Sequence, residues 1–281
     1  MTGHSLSATL QAVVATAKLV AAREIMPRYL KVAHHHKDDG SLCTEADLAA
    51  QEALTRKLQA IHNVPVIGEE MGEAEQKALW SDGLQTLWCI DPLDGTSNFV
   101  RGLPYFAISI ALIREGKSVL GVVYDPVTAE VFAAESGRGA FLNGEKLPGR
   151  ATATSLSNAL ANVDMKRLNS ELSAKLASDP PYHSQRNFGA CTLDWCYTAA
   201  GRFDVYLHGG QKLWDYSAGS LILAEAGGHA STLEGLDFQQ GGVWQRSVVA
   251  ALDGELFEEW KSWLLAQQGG SKRGRGIRGV S

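Results

Sequence analysis

Between Phe106 and Leu147 the chain alternates short β-type runs with four turn signals: Arg114-Glu115-Gly116-Lys117, Tyr124-Asp125-Pro126, Glu135-Ser136-Gly137 and Asn143-Gly144. Turns at such short intervals leave no room for the long crossovers that parallel neighbours need, so this stretch predicts an antiparallel meander. The residues before it read differently. Leu6, Leu10, Val13, Val14, Ala17, Val20 and Ala21 recur at helical spacing, which predicts an amphipathic helix within 5–33. A second helix is expected over 45–62, with Thr44 as its N-cap and Asp47 in its first turn. Two apolar runs, Val64 to Ile67 and Leu84 to Ile90, read as strands that deliver Gly68-Glu69-Glu70 and Asp91 at their ends. Beyond residue 150 the elements alternate. Helices are expected near 165–178, 189–200 and 254–266, with another starting after Asp215 and stopping at Gly227-Gly228; strands are expected near 183–187, 203–208 and 246–251. This mixture implies a layered α+β fold of two subdomains, 1–150 and 151–268, with most of the chemistry-bearing carboxylates in the first.

Composition limits the function classes. A formal net charge of −5 argues against a protein that coats nucleic acid. A flexible basic tail, 269–281, with Lys272, Arg273, Arg275 and Arg278 is read as a frayed terminus, RNA or an acidic partner being the alternative. Cys43, Cys89, Cys191 and Cys196 form no C-x-x-C pair and are read as reduced, mostly buried thiols of a cytoplasmic protein. No secretory leader is expected, and no run approaches the roughly 18 apolar residues of a membrane span. The tract His34-His35-His36 reads as a loop or helix end, because consecutive histidines do not converge on one metal.

The chemistry concentrates in Trp88-Cys89-Ile90-Asp91-Pro92-Leu93-Asp94-Gly95-Thr96-Ser97-Asn98-Phe99. A hydrophobic strand ends in Asp91, Pro92 fixes the turn, and Asp94 follows. Gly95 and Thr96 then offer backbone N–H groups to an anion. Taken alone, the segment is equally an Asp-Pro turn with an Asx cap. Glu69, Asp91, Asp94 and Asp215, if they meet, form a pile of negative charge. Two such charges ~4 Å apart repel by about 4 kcal/mol at an effective dielectric near 20, so the cluster calls for cations. Oxygen ligands without His or Cys select hard ions, Mg²⁺ or alternatively Mn²⁺, and Mg²⁺ in turn favours a phosphate ester.

Gly68-Glu69-Glu70, Asp91-Pro92-Leu93-Asp94-Gly95-Thr96 and Trp214-Asp215, in this order and at strand ends, resemble the inositol monophosphatase family, whose members are Mg²⁺-dependent and lithium-sensitive. The resemblance implies a layered αβαβα sandwich, a phosphomonoesterase activity and often a homodimer, with no membrane and no nucleic acid as partner. It implies two or three ions. Glu69, Asp91 and the Leu93 carbonyl would hold the first; Asp91, Asp94 and Asp215 would hold the second. Asp47, Thr96 and Glu69 would be catalytic, Asp47 and Thr96 orienting and deprotonating the attacking water, with no covalent intermediate. Phosphate and substrate contacts would come from Leu93, Asp94, Gly95, Thr96, Gly189, Cys191 and His208. Glu70 is either a supporting carboxylate or a solvated neighbour.

The chain also departs from that pattern. Inositol-hydrolysing members usually carry an acidic residue seven positions before the Trp-Asp aspartate, and here that position is His208. The small residue expected after Gly189-Ala190 is Cys191. His208 is either a substrate contact or a strand-end histidine facing solvent. The metal set is intact while the sugar-recognition set is altered, so the resemblance carries catalysis further than it carries inositol; the leading substrate is still inositol monophosphate or a related polyol or sugar phosphate. The alternatives are 3′-phosphoadenosine 5′-phosphate, fructose 1,6-bisphosphate and histidinol phosphate. A nucleotide would want an aromatic or basic platform, for which Arg186, His183, Trp195 and His208 are candidates. A haloacid-dehalogenase-type aspartate pair has one intervening residue, whereas Asp91 and Asp94 have two. A regulatory RNA- or protein-binding role is the remaining alternative.

Overall fold

The computed structural model describes residues 6–31, 34–36, 42–80, 85–147 and 152–270. Helix α1 (Ala8–Val20) starts where the Ser7 hydroxyl accepts the Leu10 N–H at 3.1 Å, and it buries Leu10, Val13, Ala17 and Val20. The long helix expected to residue 33 ends sooner: a π turn over Ala21–Ile25 passes into a 3₁₀ turn, Met26–Arg28. Pro27 has no N–H to continue the ladder. The histidine tract is strand rather than loop or helix end, since β1 (His34–His36) pairs antiparallel with β2 (Leu42–Thr44). The flexible tail expected over 269–281 lies outside the described residues from 271 onward, and so does the subdomain boundary expected between 150 and 151.

From α2 (Glu45–Ile61) the chain enters the first sheet at β3 (Val66–Gly68), and a helix the sequence reading lacked, α3 (Glu73–Trp80), leads to β4 (Thr86–Asp94). After the short α4 (Thr96–Arg101) comes the meander: β5 (Ala107–Arg114), β6 (Lys117–Asp125), β7 (Glu130–Glu135), β8 (Gly139–Leu142) and β9 (Glu145–Lys146). The seven strands lie in chain order, β3 parallel to β4 and the rest antiparallel, as the tight turns require.

The second sheet is assembled from β10 (Leu160–Asp164), then α5 (Ser170–Ser178), β11 (Ser184–Arg186), α6 (Cys191–Ala199), β12 (Val205–Gln211), α7 (Leu213–Glu225), β13 (His229–Ser231) and β14 (Arg246–Ala251), closed by α8 (Gly254–Gly270). Its strand order is β11-β10-β12-β14-β13, with β10 parallel to both β11 and β12. The expected helix near 165–178 is split, a 3₁₀ turn at Met165–Arg167 preceding α5.

Three apolar cores stack these parts. Helices α1 and α2 pack Leu10, Val13, Leu54 and Leu58 against Trp88, Ile90, Ile108 and Ile110 of the first sheet. The other face of that sheet meets α6 and α7, which also pack on Tyr206, Val248 and Ala250 of the second. Beyond it, α5 and α8 cover Val163, Leu207 and Val249 through Leu172, Leu176, Trp260 and Leu264. The order α, β, α, β, α is a five-layered sandwich. The middle helices sit tight on the first sheet: a Cβ on Gly121 of β6 would stand 2.9 Å from the Ala218 carbonyl oxygen of α7.

Candidate active site

In a regular strand, residues three apart face opposite sides of the sheet. In β4, Asp91 lies opposite Ser109 and Asp94 opposite Ala107, so three steps on one strand match two on its neighbour. The extra residue is a bulge at Pro92-Leu93, and it turns Asp94 to the same side as Asp91. The core residues confirm the parity. Leu87 and Cys89 face α6 and α7, whereas Trp88, Ile90 and Leu93 face α1 and α2. Both aspartates therefore point toward the middle helices, and both are buried.

Each carboxylate has its own protein donors. Asp91 Oδ1 accepts the Leu93 N–H at 3.0 Å. Asp94 Oδ2 accepts both the N–H and the hydroxyl of Thr192, each at 2.7 Å, which ties β4 to the start of α6. Gly95 then turns with φ +88°, and a Cβ there would stand 2.9 Å from the Tyr105 carbonyl oxygen, so only glycine enters α4 in this way.

Asp47 is fully buried in the first turn of α2. Its Oδ2 accepts the Thr44 N–H at 2.7 Å and the Thr44 hydroxyl at 2.6 Å, closing a capping box. Its Oδ1 lies 3.1 Å from Thr96 Oγ1, which is also 3.0 Å from the Leu93 carbonyl oxygen. One hydroxyl proton serves two acceptors here. Burial pushes the Asp47 carboxyl up, against the pull of Thr44 and Thr96 and with help from the Glu69 charge.

Glu69 follows β3 and donates its N–H to Ile90 of β4 at 3.3 Å; the neighbouring Glu70 N–H is taken by Gln51 Oε1 at 3.0 Å. Asp215 lies inside α7 rather than before it, because the helix starts at Leu213 and the Asp215 carboxylate caps it by accepting the Lys212 N–H at 2.8 Å. Burial raises Asp91 well above the usual carboxylate range, and the charges of Glu69, Asp94 and Asp215 raise it further. Asp94 is pushed up to about 6 by burial against its Thr192 hydrogen bonds, with Glu69 adding to the rise. Asp215 is raised by burial, Asp94 and Glu69, with Arg167 opposing.

The four acids thus feel one another. Among the described residues, however, no three His, Cys, Asp or Glu side chains are grouped closely enough to hold an ion as they stand. A hard divalent cation fits this set: every donor is oxygen, and a positive charge would relieve the repulsion that raises these carboxyls.

The other side of the cleft comes from the second sheet. Gly189, with φ +79°, precedes α6, and the Asn98 amide holds its neighbour Phe188 by the carbonyl at 2.7 Å. Cys191 opens α6; its thiol is pushed up by burial and by Asp215, Asp94, Asp194 and Asp164 around it. His208 does not face solvent: it is only 3% exposed. Its Nδ1 accepts the Gly210 N–H at 3.1 Å, which leaves the ring proton on Nε2. That Nε2 lies 3.4 Å from Asp164 Oδ2 and 3.6 Å from Cys191 Sγ. Trp195 is no ligand platform, since it is wholly buried and donates its indole N–H to Gln211 Oε1 at 2.8 Å.

Three residues here escaped the sequence reading: Thr192, Asp194 and Asp164. Asp194 is buried in α6 and accepts the Tyr105 hydroxyl at 2.9 Å. Burial pushes its carboxyl up to about 8, with Asp94 and Asp164 adding to the rise. For Asp164, burial works against the charged form, but His208, the Lys166 N–H and Arg167 outweigh it and hold the carboxyl below its usual range. The helical spacing of Asp194 from Cys191 was the one available signal; Thr192 and Asp164 have none without the tertiary fold.

The chain is similar to known proteins over most of its length. The sequence profile described as the inositol monophosphatase family matches residues 5–268. The chain is 38% identical over 211 residues to the Nus factor SuhB of Pseudomonas aeruginosa, spanning 72% of this chain and 76% of that protein. It is 36% identical over 208 residues to the inositol-1-monophosphatase of Caulobacter vibrioides, spanning 72% and 79%. Among solved structures, the Thermotoga maritima IMPase superposes with a TM-score of 0.79 at 27% identity, covering 93% of this chain and 98% of that one. The extragenic suppressor protein suhB of Bartonella henselae gives 0.78 at 29%, covering 96% and 100%. Among the described residues no helix is long and apolar enough to cross a membrane.

Proposed function

Because the chain belongs to the inositol monophosphatase family, we propose that it hydrolyses a small phosphate monoester, inositol monophosphate or a related polyol or sugar phosphate, with Mg²⁺. The observation that carries this reading is the set of Glu69, Asp91, Asp94 and Asp215: the carboxyls of Asp91, Asp94 and Asp215 are raised by burial and by charges within the set, Glu69 included. Glu69, Asp91, the Leu93 carbonyl, Asp94 and Asp215 would hold the ions. When bound, Mg²⁺ supplies charge neutralisation at phosphate oxygens and acidifies water.

The remaining work falls to the chain's own groups. Thr96 Oγ1 gives its proton toward Asp47 Oδ1 and keeps lone pairs to accept a hydrogen from the attacking water. Asp47, raised by burial, is the better proton acceptor for it. In the first turn of α4 the N–H groups have no intrahelical carbonyl to reach, so Gly95 and Thr96 can hold the phosphate. Thr192 fixes Asp94 from the first turn of α6, so the carboxylate is aimed before substrate arrives.

Phosphate release from inositol 1-phosphate, glycerol 2-phosphate, fructose 1,6-bisphosphate, 3′-phosphoadenosine 5′-phosphate and histidinol phosphate, with Mg²⁺ and with a chelator, tests the reading. Metal-dependent release led by a polyol phosphate supports it. A different leading ester moves the substrate within the superfamily, and no release from any of them refutes the phosphatase reading. A second reading draws on the SuhB-named relatives that are called Nus factors: a binding role toward protein or RNA alongside hydrolysis.

A further inference from the structure

The acidic residue that the family resemblance places seven positions before Asp215 is absent, and His208 at that position cannot stand in for it. Its ring is 3% exposed, and both nitrogens are engaged within the protein, Nδ1 by the Gly210 N–H and Nε2 by Asp164 and Cys191. What the ring does instead is hold a carboxylate. Strands β10 and β12 run parallel with Asp164 directly opposite His208, so the two side chains share a face, at the C-terminal end of β10 and where the regular pairing of β12 with β14 breaks off. Ligands of open α/β sheets gather at that end.

Asp164 is also contiguous with the phosphate side of the cleft. Thr192 grips Asp94 at 2.7 Å; the preceding residue, Cys191, touches His208; and His208 touches Asp164. The Asp164 side chain is 20% exposed, and among the described residues each of its oxygens has a single partner, Lys166 N–H for Oδ1 at 3.0 Å and His208 for Oδ2. A carboxylate oxygen can accept more than one hydrogen bond, so both remain open to a ligand donor.

We propose that Asp164 reads the substrate's hydroxyl groups, with His208 as its positioning residue, and that this selects a phosphorylated polyol with a single phosphate. The inference rests on the phosphatase reading above. Hydrogen bonds from hydroxyls to an ionised acceptor are about twice as strong as neutral ones. The same charge disfavours a second phosphate at this edge, which sets the site against bisphosphate esters.

The test is Asp164→Asn in the full chain with Mg²⁺, read as a ratio: kcat/KM for inositol 1-phosphate over kcat/KM for p-nitrophenyl phosphate, which has no hydroxyl. The ratio should fall roughly 10- to 100-fold, the loss lying in KM. Relative turnover of fructose 1,6-bisphosphate should rise. His208→Gln, which retains an N–H donor, should keep more of the discrimination than His208→Ala. An unchanged ratio in Asp164→Asn overturns the proposal, because a merely structural role lowers both substrates together. If the wild type releases phosphate from no ester, the phosphatase reading fails on its own. Calorimetric titration with inositol 1-phosphate then decides on Asp164: weaker binding to the variant supports its role, and equal affinity overturns it.

Discussion

Replacing Asp194 by Asn should make the protein more stable, and increasingly so as the pH rises. Asp194 is 3% exposed, accepts the Tyr105 hydroxyl at 2.9 Å, and carries a carboxyl pushed up from 3.8 to about 8 by burial and by the neighbouring Asp94 and Asp164 charges. The unfolded chain releases this proton near the ordinary value, while the folded chain retains it until the pH reaches about 8. Across that window the folded state binds more protons, so stability is full below the unfolded value and falls as the pH rises through the folded one. One proton corresponds to about 1.36 kcal/mol per pH unit, hence ~2–3 kcal/mol between pH 5 and pH 7. Asparagine has no proton to lose, fits the same volume and keeps an oxygen for Tyr105. The stability gap between variant and wild type should therefore widen by that amount, or roughly 3–5 °C in Tm. Urea unfolding of both proteins in a chelator at pH 5, 6, 7 and 8 measures it. A gap that stays constant or narrows would refute the claim that Asp194 is held protonated.

The other expectations are simpler. Asp94→Asn should lower kcat on the order of 100-fold or more, with far-UV circular dichroism unchanged because the amide oxygen can still accept from Thr192; near-wild-type turnover would remove the carboxylate cluster from the mechanism. Gly219→Ala should destabilise, since a Cβ there would stand 2.4 Å from the Trp195 Cβ in a filled core. Overpacking costs about 1–3 kcal/mol and outweighs the ~1 kcal/mol helix-propensity gain, so a rise in Tm would contradict the packing of α6 on α7. Removing residues 271–281 should leave phosphate release unchanged, because the residues that build the site lie between Thr44 and Asp215; a loss of turnover would mean the tail reaches the cleft.

Local chemistry was the legible part of the chain. Tight turns at Glu115-Gly116 and Asn143-Gly144 announced the meander, and the Thr44–Asp47 spacing announced a helix start that the capping box bears out. What stayed hidden depends on neighbours distant in sequence. Asp164 has meaning only because β10 lies beside β12 in a register that brings it to His208. Thr192 carries no mark in the sequence until α6 meets β4. His208 could be read as solvent-facing because nothing local signals that β10 and α6 cover it. The early end of α1 was local after all, marked by Pro27 and passed over.

The bulge in β4 also bears on how this site can change over generations. Point substitutions at Pro92 or Leu93 alter one side chain, but loss of either residue would restore simple alternation, leaving Asp94 on the Asp91 face while removing the bulge that presents the Leu93 carbonyl to Thr96. Single-residue deletions in this segment should therefore be purged even where substitutions are tolerated, so lineages can vary the letters between the two aspartates while keeping their number.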